Sequence, residues 1–296
     1  MENNSKNSGY LLVFLAGVIW GFIGLFVKLL NGAGANATTV AFMRMSYSTV
    51  IMLVISVVLY GGKSLRVDRK TLLACAFMGL VCQCAFNVLY NISIQYNGVA
   101  VGSIILAINP VFTAIVSVIF CREKLSVRKI IALIINVVGC SLAATNGKID
   151  GFTVGFIGIA SGLAAAFGYS LTPVVGRITA QNNKPSVISA YSFGFATIFL
   201  LLYSALTSTP LILNGEVLTY GFFYALIPTC ISYLLYYNGL KHITESSRIP
   251  VIASAEIACA TILGIVIFHE DFGVFCIIGI VLVLLSSAIM CEKSKN

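Results

Sequence analysis

Residues 98–120 read GVAVGSIILAINPVFTAIVSVIF, a run of 23 residues without a charged side chain. A helix crosses the hydrocarbon core of a bilayer with roughly 20 consecutive apolar residues. Backbone N–H and C=O groups find no water there, so such a segment must pair them internally as a helix. This stretch therefore predicts a transmembrane helix.

Nine further stretches of the same kind flank it, which makes ten predicted spans. They are residues 10–30, 38–60, 72–92, 98–120, 130–144, 152–175, 187–206, 217–240, 247–268 and 272–290, and the fifth can also start at Val127. The polar start MENNSKNS runs directly into the first span, and nine spans follow it. We therefore interpret the first span as an uncleaved helix rather than a signal peptide.

The composition agrees with a membrane protein. Of the 296 residues, 59% are hydrophobic and only 9% are charged, and the mean hydropathy is +1.00. Soluble chains carry roughly 25% charged residues, and a soluble fold with so few charges would expose apolar surface that it could not cover. These values exclude a soluble enzyme, a nucleic-acid binder and a disordered chain, and they predict a lipid bilayer as the surroundings.

The net charge of +8 is a topology signal. With the N-terminus inside, fifteen of the eighteen Lys and Arg residues fall on the inner side, and the others are Lys28, Lys148 and, within the second span, Arg44. Cytoplasmic loops carry such an excess of cations. We therefore expect a multi-pass protein of the cell membrane (plasma or inner membrane) with both termini in the cytoplasm, and no nucleic-acid partner.

The two halves of the chain are related by a shift of 147 residues without gaps. The shift places Trp20-Gly21-Phe22 on Phe167-Gly168-Tyr169, Tyr90-Asn91 on Tyr237-Asn238, and Glu123 on Glu270. Each half has five spans, an odd number, so the second half enters the membrane from the opposite side. The sequence thus predicts an all-α polytopic membrane protein of two inverted five-helix repeats, residues 1–147 and 148–296.

Paired motifs at the ends of the fourth and ninth spans carry a family resemblance. Asn109-Pro110-Val111-Phe112 leads to Arg122-Glu123-Lys124-Leu125 and a span with Gly139, and Ala255-Glu256-Ile257-Ala258 leads to His269-Glu270-Asp271-Phe272, followed by Gly279. With them the chain resembles the EamA-type transporters of the drug/metabolite transporter superfamily over nearly its full length. The family pattern has proline after the polar residue in both halves, whereas Ile257 stands in the second. The resemblance implies a ten-helix permease around a central cavity that moves small metabolites, often exporting amino acids.

Two charged residues lie well inside predicted spans. Glu256 is near the centre of the ninth span, and Arg44 is about six residues into the second. Intramembrane charges are costly and usually face a cavity or a partner. For Glu256 we predict proton coupling or contact with a cationic substrate group, against a protonated packing carboxyl. For Arg44, binding of a substrate carboxylate and snorkelling to the outer surface both stay open.

Amide and aromatic side chains complete the candidate substrate site. Gln83, Asn87 and Asn91 recur every four residues and share one helix face. They either hydrogen-bond between helices or line the cavity. Aromatic rings can stack on a substrate or simply pack. The candidate substrate-binding residues are Glu256, Arg44, Asn91, Tyr90, Asn87, Tyr169, Tyr237 and Trp20.

Glu123 and Glu270 are predicted to be structural, because each lies at a helix–helix turn where a carboxylate can cap the following helix. The chain has no Walker A, HExxH or Gly-rich dinucleotide motif. We therefore expect no cofactor and no metal site. The oligomeric state stays open, and a monomer is compatible with the sequence.

The resulting hypothesis is a secondary transporter that exports amino acids or related compounds by alternating access, with Glu256 as the coupling residue for protons. Two alternatives stay open. One is an uptake permease for another metabolite class, such as a sugar or a nucleoside. The other is a polytopic membrane enzyme, for which the triplet His269-Glu270-Asp271 would have to supply the chemistry.

Overall fold

A computed structural model describes residues 2–147, 155–268 and 273–291. Over these ranges the chain forms helices and no strand, and ten helical segments are long and apolar enough to span a membrane, which confirms the ten predicted spans. We label them α1 to α10: Asn7–Gly32, Ala37–Tyr60, Arg69–Gly98, Val101–Cys121, Val127–Thr145, Phe156–Ala180, Pro185–Leu206, Gly215–Leu240, Ser246–Phe268 and Val274–Cys291.

Helix α3 is longer at both ends than its predicted span of residues 72–92. It begins after Asp68, whose carboxylate accepts hydrogen bonds from the backbone N–H groups of Lys70 and Thr71 at 3.1 and 3.3 Å. It ends at Gly98, whose φ of 79° stops the helix. The hydropathy pattern missed these ends because the capping turns are polar, whereas helices extend until a cap or a glycine ends them.

Five of the spans are interrupted. Helix α1 is interrupted between Trp20 and Ile23, and a short 3₁₀ segment starts α9. Two spans contain a π-helical turn, Met78–Ala85 in α3 and Leu226–Ile231 in α8. Two spans are broken, α4 between Leu106 and Asn109 and α9 between Ala253 and Ala255. The two π-helical turns lie at positions related by the shift of 147 residues, and so do the two breaks. The interruptions therefore repeat between the halves.

Packing joins the two halves rather than separating them. The largest interfaces pair α5 with α10, α2 with α7, α1 with α8, and α6 with α3 and α4. Each of these pairs takes one partner from residues 1–147 and the other from the second half. The repeat boundary therefore separates two related sequences within one interleaved helical bundle.

Hydrogen bonds between loops define two faces of the bundle. On one face, the Tyr191 hydroxyl donates to the Leu65 carbonyl at 2.7 Å, and the loops on that side together with the adjacent helix ends carry most of the Lys and Arg residues. On the other, Asn36 Nδ2 donates to the Pro210 carbonyl at 2.8 Å, and Asn214 Nδ2 donates to the Ala33 carbonyl at 2.9 Å. We call the side of residues 61–68, 122–126, 181–184 and 241–245 the basic face, and the other the opposite face.

Helices α5 and α10 cross at a contact that only small residues allow. A Cβ atom on Gly279 would lie 2.4 Å from the Ala143 backbone nitrogen and 2.7 Å from the Gly139 carbonyl oxygen. Such distances are far below van der Waals contact, and the neighbouring atoms belong to backbone, which cannot rotate away. The missing side chain at Gly279 therefore sets the separation of the two helices.

We expect Gly279→Ala to lower the stability of the detergent-solubilised protein, because overpacking a tight interface costs about 1–3 kcal/mol. The matched control is Gly24→Ala, since no atom lies within 4 Å of a Cβ atom placed at Gly24. Each variant is heated to a series of temperatures, and size-exclusion chromatography measures the fraction that has not aggregated. The midpoint temperature is compared between the variants. An unchanged midpoint for Gly279→Ala would contradict the close crossing.

Candidate functional site

The breaks in α4 and α9 place two polar residues at helix starts inside the bundle. Asn109 is the first residue of the piece Asn109–Cys121, and Glu256 lies in the first turn of Ala255–Phe268. A helix start presents unpaired N–H groups and the positive end of the helix dipole, so it attracts negative charge. The helix pieces after the breaks in α4 and α9 therefore both begin inside the bundle, with their unpaired N–H groups there.

Helix α9 is interrupted although Ile257 replaces the proline of the family pattern. At the break, the Ser254 hydroxyl donates to the Val251 carbonyl at 2.6 Å and receives a hydrogen bond of 2.6 Å from Asn136 Nδ2 of α5. The Ser254 carbonyl accepts from the Ile257 N–H at 2.9 Å, the tighter i→i+3 pattern. Side-chain hydrogen bonds thus accompany the break in α9, whereas the break in α4 has Pro110.

Glu256 is half-buried, and its carboxylate lies within electrostatic range of Arg44, Tyr90 and Tyr169. Within residues 2–147, 155–268 and 273–291, the Glu256 side chain forms no ion pair within 4.0 Å and no hydrogen bond. Its side chain thus stands among the predicted site residues without a fixed protein contact in the described chain.

Arg44 points into the bundle and does not snorkel. Its side chain is 9% exposed, its Nε donates to Thr229 Oγ1 at 3.1 Å, and its guanidinium carbon lies 5.4 Å from the centre of the Tyr224 ring. Thr229 belongs to the π-helical turn of α8. It lies more residues from the helix end at the opposite face than Arg44 does, so the Arg44 side chain points toward the interior. The snorkelling interpretation was wrong because α8 offers an internal acceptor and an aromatic face.

Three aromatic rings of α3 and α6 pack together, and two of them, Tyr90 and Tyr169, lie within electrostatic range of Glu256. The Phe86 ring stacks on Tyr169, with ring centres 4.8 Å apart, and lies 5.8 Å from the Tyr90 ring. The Tyr90 hydroxyl is 3.3 Å from Ser103 Oγ. Phe86, Tyr90 and Tyr169 are all half-buried, so their faces are not fully used by packing.

The predicted amide stripe divides into two parts. Gln83 lies in the π-helical turn of α3, is 4% exposed and donates from Nε2 to the Tyr233 hydroxyl at 2.9 Å. It is an interhelical packing contact. Asn87 and Asn91 are half-buried, and Asn87 Nδ2 donates to the Gln83 carbonyl at 2.6 Å. The π-helical turn changes the residue spacing, so the α-helical count of i, i+4, i+8 does not hold across it.

Trp20 and Tyr237 are more buried than a substrate-binding role predicts. Trp20 is 4% exposed at the end of the first piece of α1, with ring centres 5.3 Å from Tyr233 and 5.1 Å from Tyr236. Tyr237 is 2% exposed, and its hydroxyl donates to the Met78 sulfur at 3.7 Å. The structure thus places Tyr237 in the packed core, away from the half-buried group around Glu256.

Sequence reasoning did not select Phe86, Thr229 or Asn136 for this site. Asn136 carried a signal, because it is the only amide in the apolar span α5, and such residues usually bond across helices. Phe86 lies four residues before Tyr90 on the same helix face. Thr229 gave no signal, since its role depends on the direction of Arg44.

Glu123 does not cap the helix that follows it. Helix α5 is capped by Ser126, whose hydroxyl accepts from the Lys129 N–H at 3.4 Å. The Glu123 carboxylate instead accepts the backbone N–H groups of Ser246 and Ser247, at 2.6 and 3.2 Å, at the start of α9. The prediction that Glu123 caps α5 was wrong. The fold brings the start of α9 to the Glu123 carboxylate, which bonds to that helix instead. Glu270 lies outside the described residues.

A second carboxylate, Glu245, lies beside this contact. Its Oε1 is 2.7 Å from Lys129 Nζ, and it also pairs with Arg248. Burial raises the pKa of Glu245, but hydrogen bonds and charges from Lys129 and Arg248 outweigh burial and leave that pKa below its ordinary value. The charged pair therefore stabilises the fold at neutral pH, and this contribution disappears as the pH falls through the lowered pKa.

The described residues contain no group of three or more His, Cys, Asp or Glu side chains that could hold a metal ion. The site is built from one carboxylate, one guanidinium, amides and aromatic rings. Such groups bind, orient and exchange protons with a small polar molecule.

Comparisons with known proteins agree with this architecture. The sequence model of the EamA-like transporter family matches the chain twice, at residues 7–145 and 156–291. Relatives include the Uncharacterized transporter YyaM of Bacillus subtilis (strain 168), 25% identical over 82% of this chain and 80% of its own length. Another is the Uncharacterized inner membrane transporter YicL of Salmonella typhimurium (strain LT2), 22% identical over 99% of this chain and 98% of its own.

A solved crystal structure of a protein shares the fold. It superposes with a TM-score of 0.81 at 15% identity, covering 95% of this chain and 97% of the other. An uncharacterized transporter of Archaeoglobus fulgidus is 26% identical over 93% of both chains. The sequence similarity therefore covers between 80% and 98% of the lengths of three relatives that are named transporters.

The single tryptophan gives a spectroscopic test of the site's packing. Since Trp20 is enclosed by Tyr233 and Tyr236, we expect its emission in the native protein to be weakly quenched by acrylamide. Removing the Tyr236 ring opens one side of the indole, so Tyr236→Ala should increase quenching. Phe223→Ala is the control, because the Phe223 ring is exposed on the bundle surface and packs against Phe222. Equal quenching in both variants would contradict the enclosure of Trp20.

Proposed function

The chain belongs to the EamA-like transporter family, and from this membership we propose that it is a secondary transporter exporting amino acids or related small metabolites. It is a multi-pass membrane protein by its ten apolar helices. We further propose that transport proceeds by alternating access between two inverted repeats around a central cavity. The paired π-helical turns and breaks at a shift of 147 residues support that arrangement.

The observation that carries the proposal is the position of Glu256. A carboxylate inside a membrane protein is expensive unless it has a partner or a task. Glu256 lies just after the break in α9, half-buried, with no fixed partner in the described chain. A broken helix at mid-membrane is where many transporters bind substrate and coupling ions. We assign to Glu256 the contact with a substrate ammonium group and the exchange of the coupling proton.

The surrounding groups suit an amino acid. Thr229 accepts only the Nε–H of Arg44. The guanidinium has further N–H groups, and these can bind a substrate carboxylate. The Phe86 and Tyr169 rings offer an apolar wall, and Asn87 and Asn91 offer amide contacts. These groups lie on several helices, so closure around a substrate would draw both repeats together.

The charge pattern supports the orientation. Fifteen of the eighteen cations lie at the ends and loops assigned to the inner side. We propose that the basic face is cytoplasmic, that both termini lie there, and that the protein resides in the plasma or inner membrane. The partners are the small-molecule substrate, the bilayer and protons.

Flux in proteoliposomes tests the function. A panel of amino acids, sugars and nucleosides is assayed for export and uptake, with and without a pH gradient. We expect Glu256→Gln to lower amino-acid flux at limiting substrate roughly ten- to hundredfold, the equivalent of losing a charge-assisted contact of about 1.5–3 kcal/mol. The flux that remains should no longer respond to the pH gradient.

The matched control is Glu216→Gln, since Glu216 is an exposed carboxylate at the start of α8 on the opposite face. Its flux and pH response should equal those of the unmodified protein. Full flux with an unchanged pH response in Glu256→Gln would overturn the coupling role. Uptake of a sugar or nucleoside in place of amino-acid export would support the alternative permease.

A further inference from the structure

One carboxylate outside the candidate substrate site is buried and fully engaged. The Glu123 side chain is 6% exposed, and it accepts hydrogen bonds from the Ser246 N–H at 2.6 Å, the Ser247 N–H at 3.2 Å and the Ser247 hydroxyl at 2.8 Å. Arg177 Nη2 of α6 lies 3.4 Å from the same carboxylate. One side chain at the end of α4 thus holds the start of α9 and the end of α6.

The segment that Glu123 holds is the short first part of α9. Residues 246–253 run from this contact to the break at Ser254, directly before Glu256. Ile249, Val251 and Ile252 in this segment are completely buried. Movement at residues 246 and 247 is therefore transmitted over two helical turns to the candidate substrate site.

This segment closes the bundle toward the basic face. Helix α1 approaches it so closely that a Cβ atom on Gly17 would lie 2.5 Å from the Ala253 carbonyl oxygen. Arg248 Nη1 donates to the Met290 carbonyl at the end of α10, at 2.8 Å, and Arg177 donates to the Thr244 carbonyl. The ends of α4, α6 and α10 therefore contact the start of α9 around residues 244–248.

The two sides of the break differ in packing. Before the break, toward the basic face, residues 249–255 are buried with the exception of the half-buried Pro250. After the break, Glu256 is half-buried, as are Tyr90, Asn91 and Tyr169. The segment before the break is therefore more tightly packed than the candidate site after it.

We propose that Glu123, Arg177, Ser246 and Ser247 form the gate of the basic face, which must separate for the substrate site to open on that side. The proposal rests on the alternating-access function given above. Buried ion pairs gain little net stability over apolar contacts, but they make and break as a unit when water enters. A carboxylate on a helix start is suited to such a gate, since its hydrogen bonds are strong when closed and are replaced by water when open.

Two single-cysteine reporters test the gate in a chain whose nine native cysteines are replaced. Ala253→Cys reports the basic side, because Ala253 is 8% exposed behind the gate. Asn91→Cys reports the less tightly packed side. A membrane-impermeant maleimide is added from one side at a time, and the labelling rate of each cysteine is measured.

Glu123→Gln removes the charge that holds the gate. We expect Ala253→Cys to react roughly tenfold faster from the basic side and Asn91→Cys to react more slowly from the opposite side, because a shift between two states populates one at the expense of the other. Lys124→Gln, at an exposed neighbouring residue, should leave both rates unchanged. Arg177→Gln should act in the same direction as Glu123→Gln.

A general loosening of the helix ends would accelerate labelling of both reporters and would overturn the proposal, as would no change in either. If the cysteine-free chain fails to fold, hydrogen exchange on the unmodified chain and Glu123→Gln in nanodiscs replaces labelling. Exchange should then rise at residues 246–253 and fall at residues 86–97. Neither readout uses a transported substrate, so a wrong substrate assignment leaves the gate result intact.

Discussion

A bilayer offers no hydrogen-bond partner to a backbone N–H or C=O group, and the interior of this bundle is organised around that constraint. At two of the places where a span departs from the α-helix, polar side chains bond to the backbone. Ser254 does so at the break in α9, where Asn136 bonds to its hydroxyl, and Thr229 Oγ1 donates to the Tyr224 carbonyl at 3.0 Å in the π-helical turn of α8. Polar side chains therefore accompany the irregular backbone of α8 and α9, and Arg44 and Glu256 of the candidate site lie close to those two places.

The number of spans was predictable from the sequence because hydrophobic length is a local property. Glu256 was conspicuous as a charge in an apolar run, and its role stays a prediction. Other features depend on what a neighbouring helix presents. Arg44 is held inside the bundle by Thr229 and Tyr224, Tyr237 is enclosed in the core, and Glu123 binds a helix start 123 residues away. None of these contacts leaves a pattern in the sequence near the residue concerned.

The halves share backbone irregularities but differ in their chemistry. Asn109 and Glu256 occupy equivalent positions at the two breaks, one neutral and one acidic. Arg44 has Tyr191 as its equivalent, and Tyr191 bonds to the Leu65 carbonyl at the basic face. The two halves therefore share a pattern of helix interruptions but carry different polar and charged side chains at equivalent positions.

The replacement of a proline by Ile257 makes the two broken helices mechanically unequal. In α4, Pro110 has no N–H and its ring blocks the preceding turn, so that helix cannot straighten. In α9 every residue around the break keeps its N–H, and the Ile257 N–H already bonds to the Ser254 carbonyl at 2.9 Å. Exchange of a few hydrogen bonds would make α9 continuous. The break in one half thus follows from a backbone N–H that is missing, whereas the break in the other is held by hydrogen bonds that water or a substrate can replace, on the helix that carries the carboxylate.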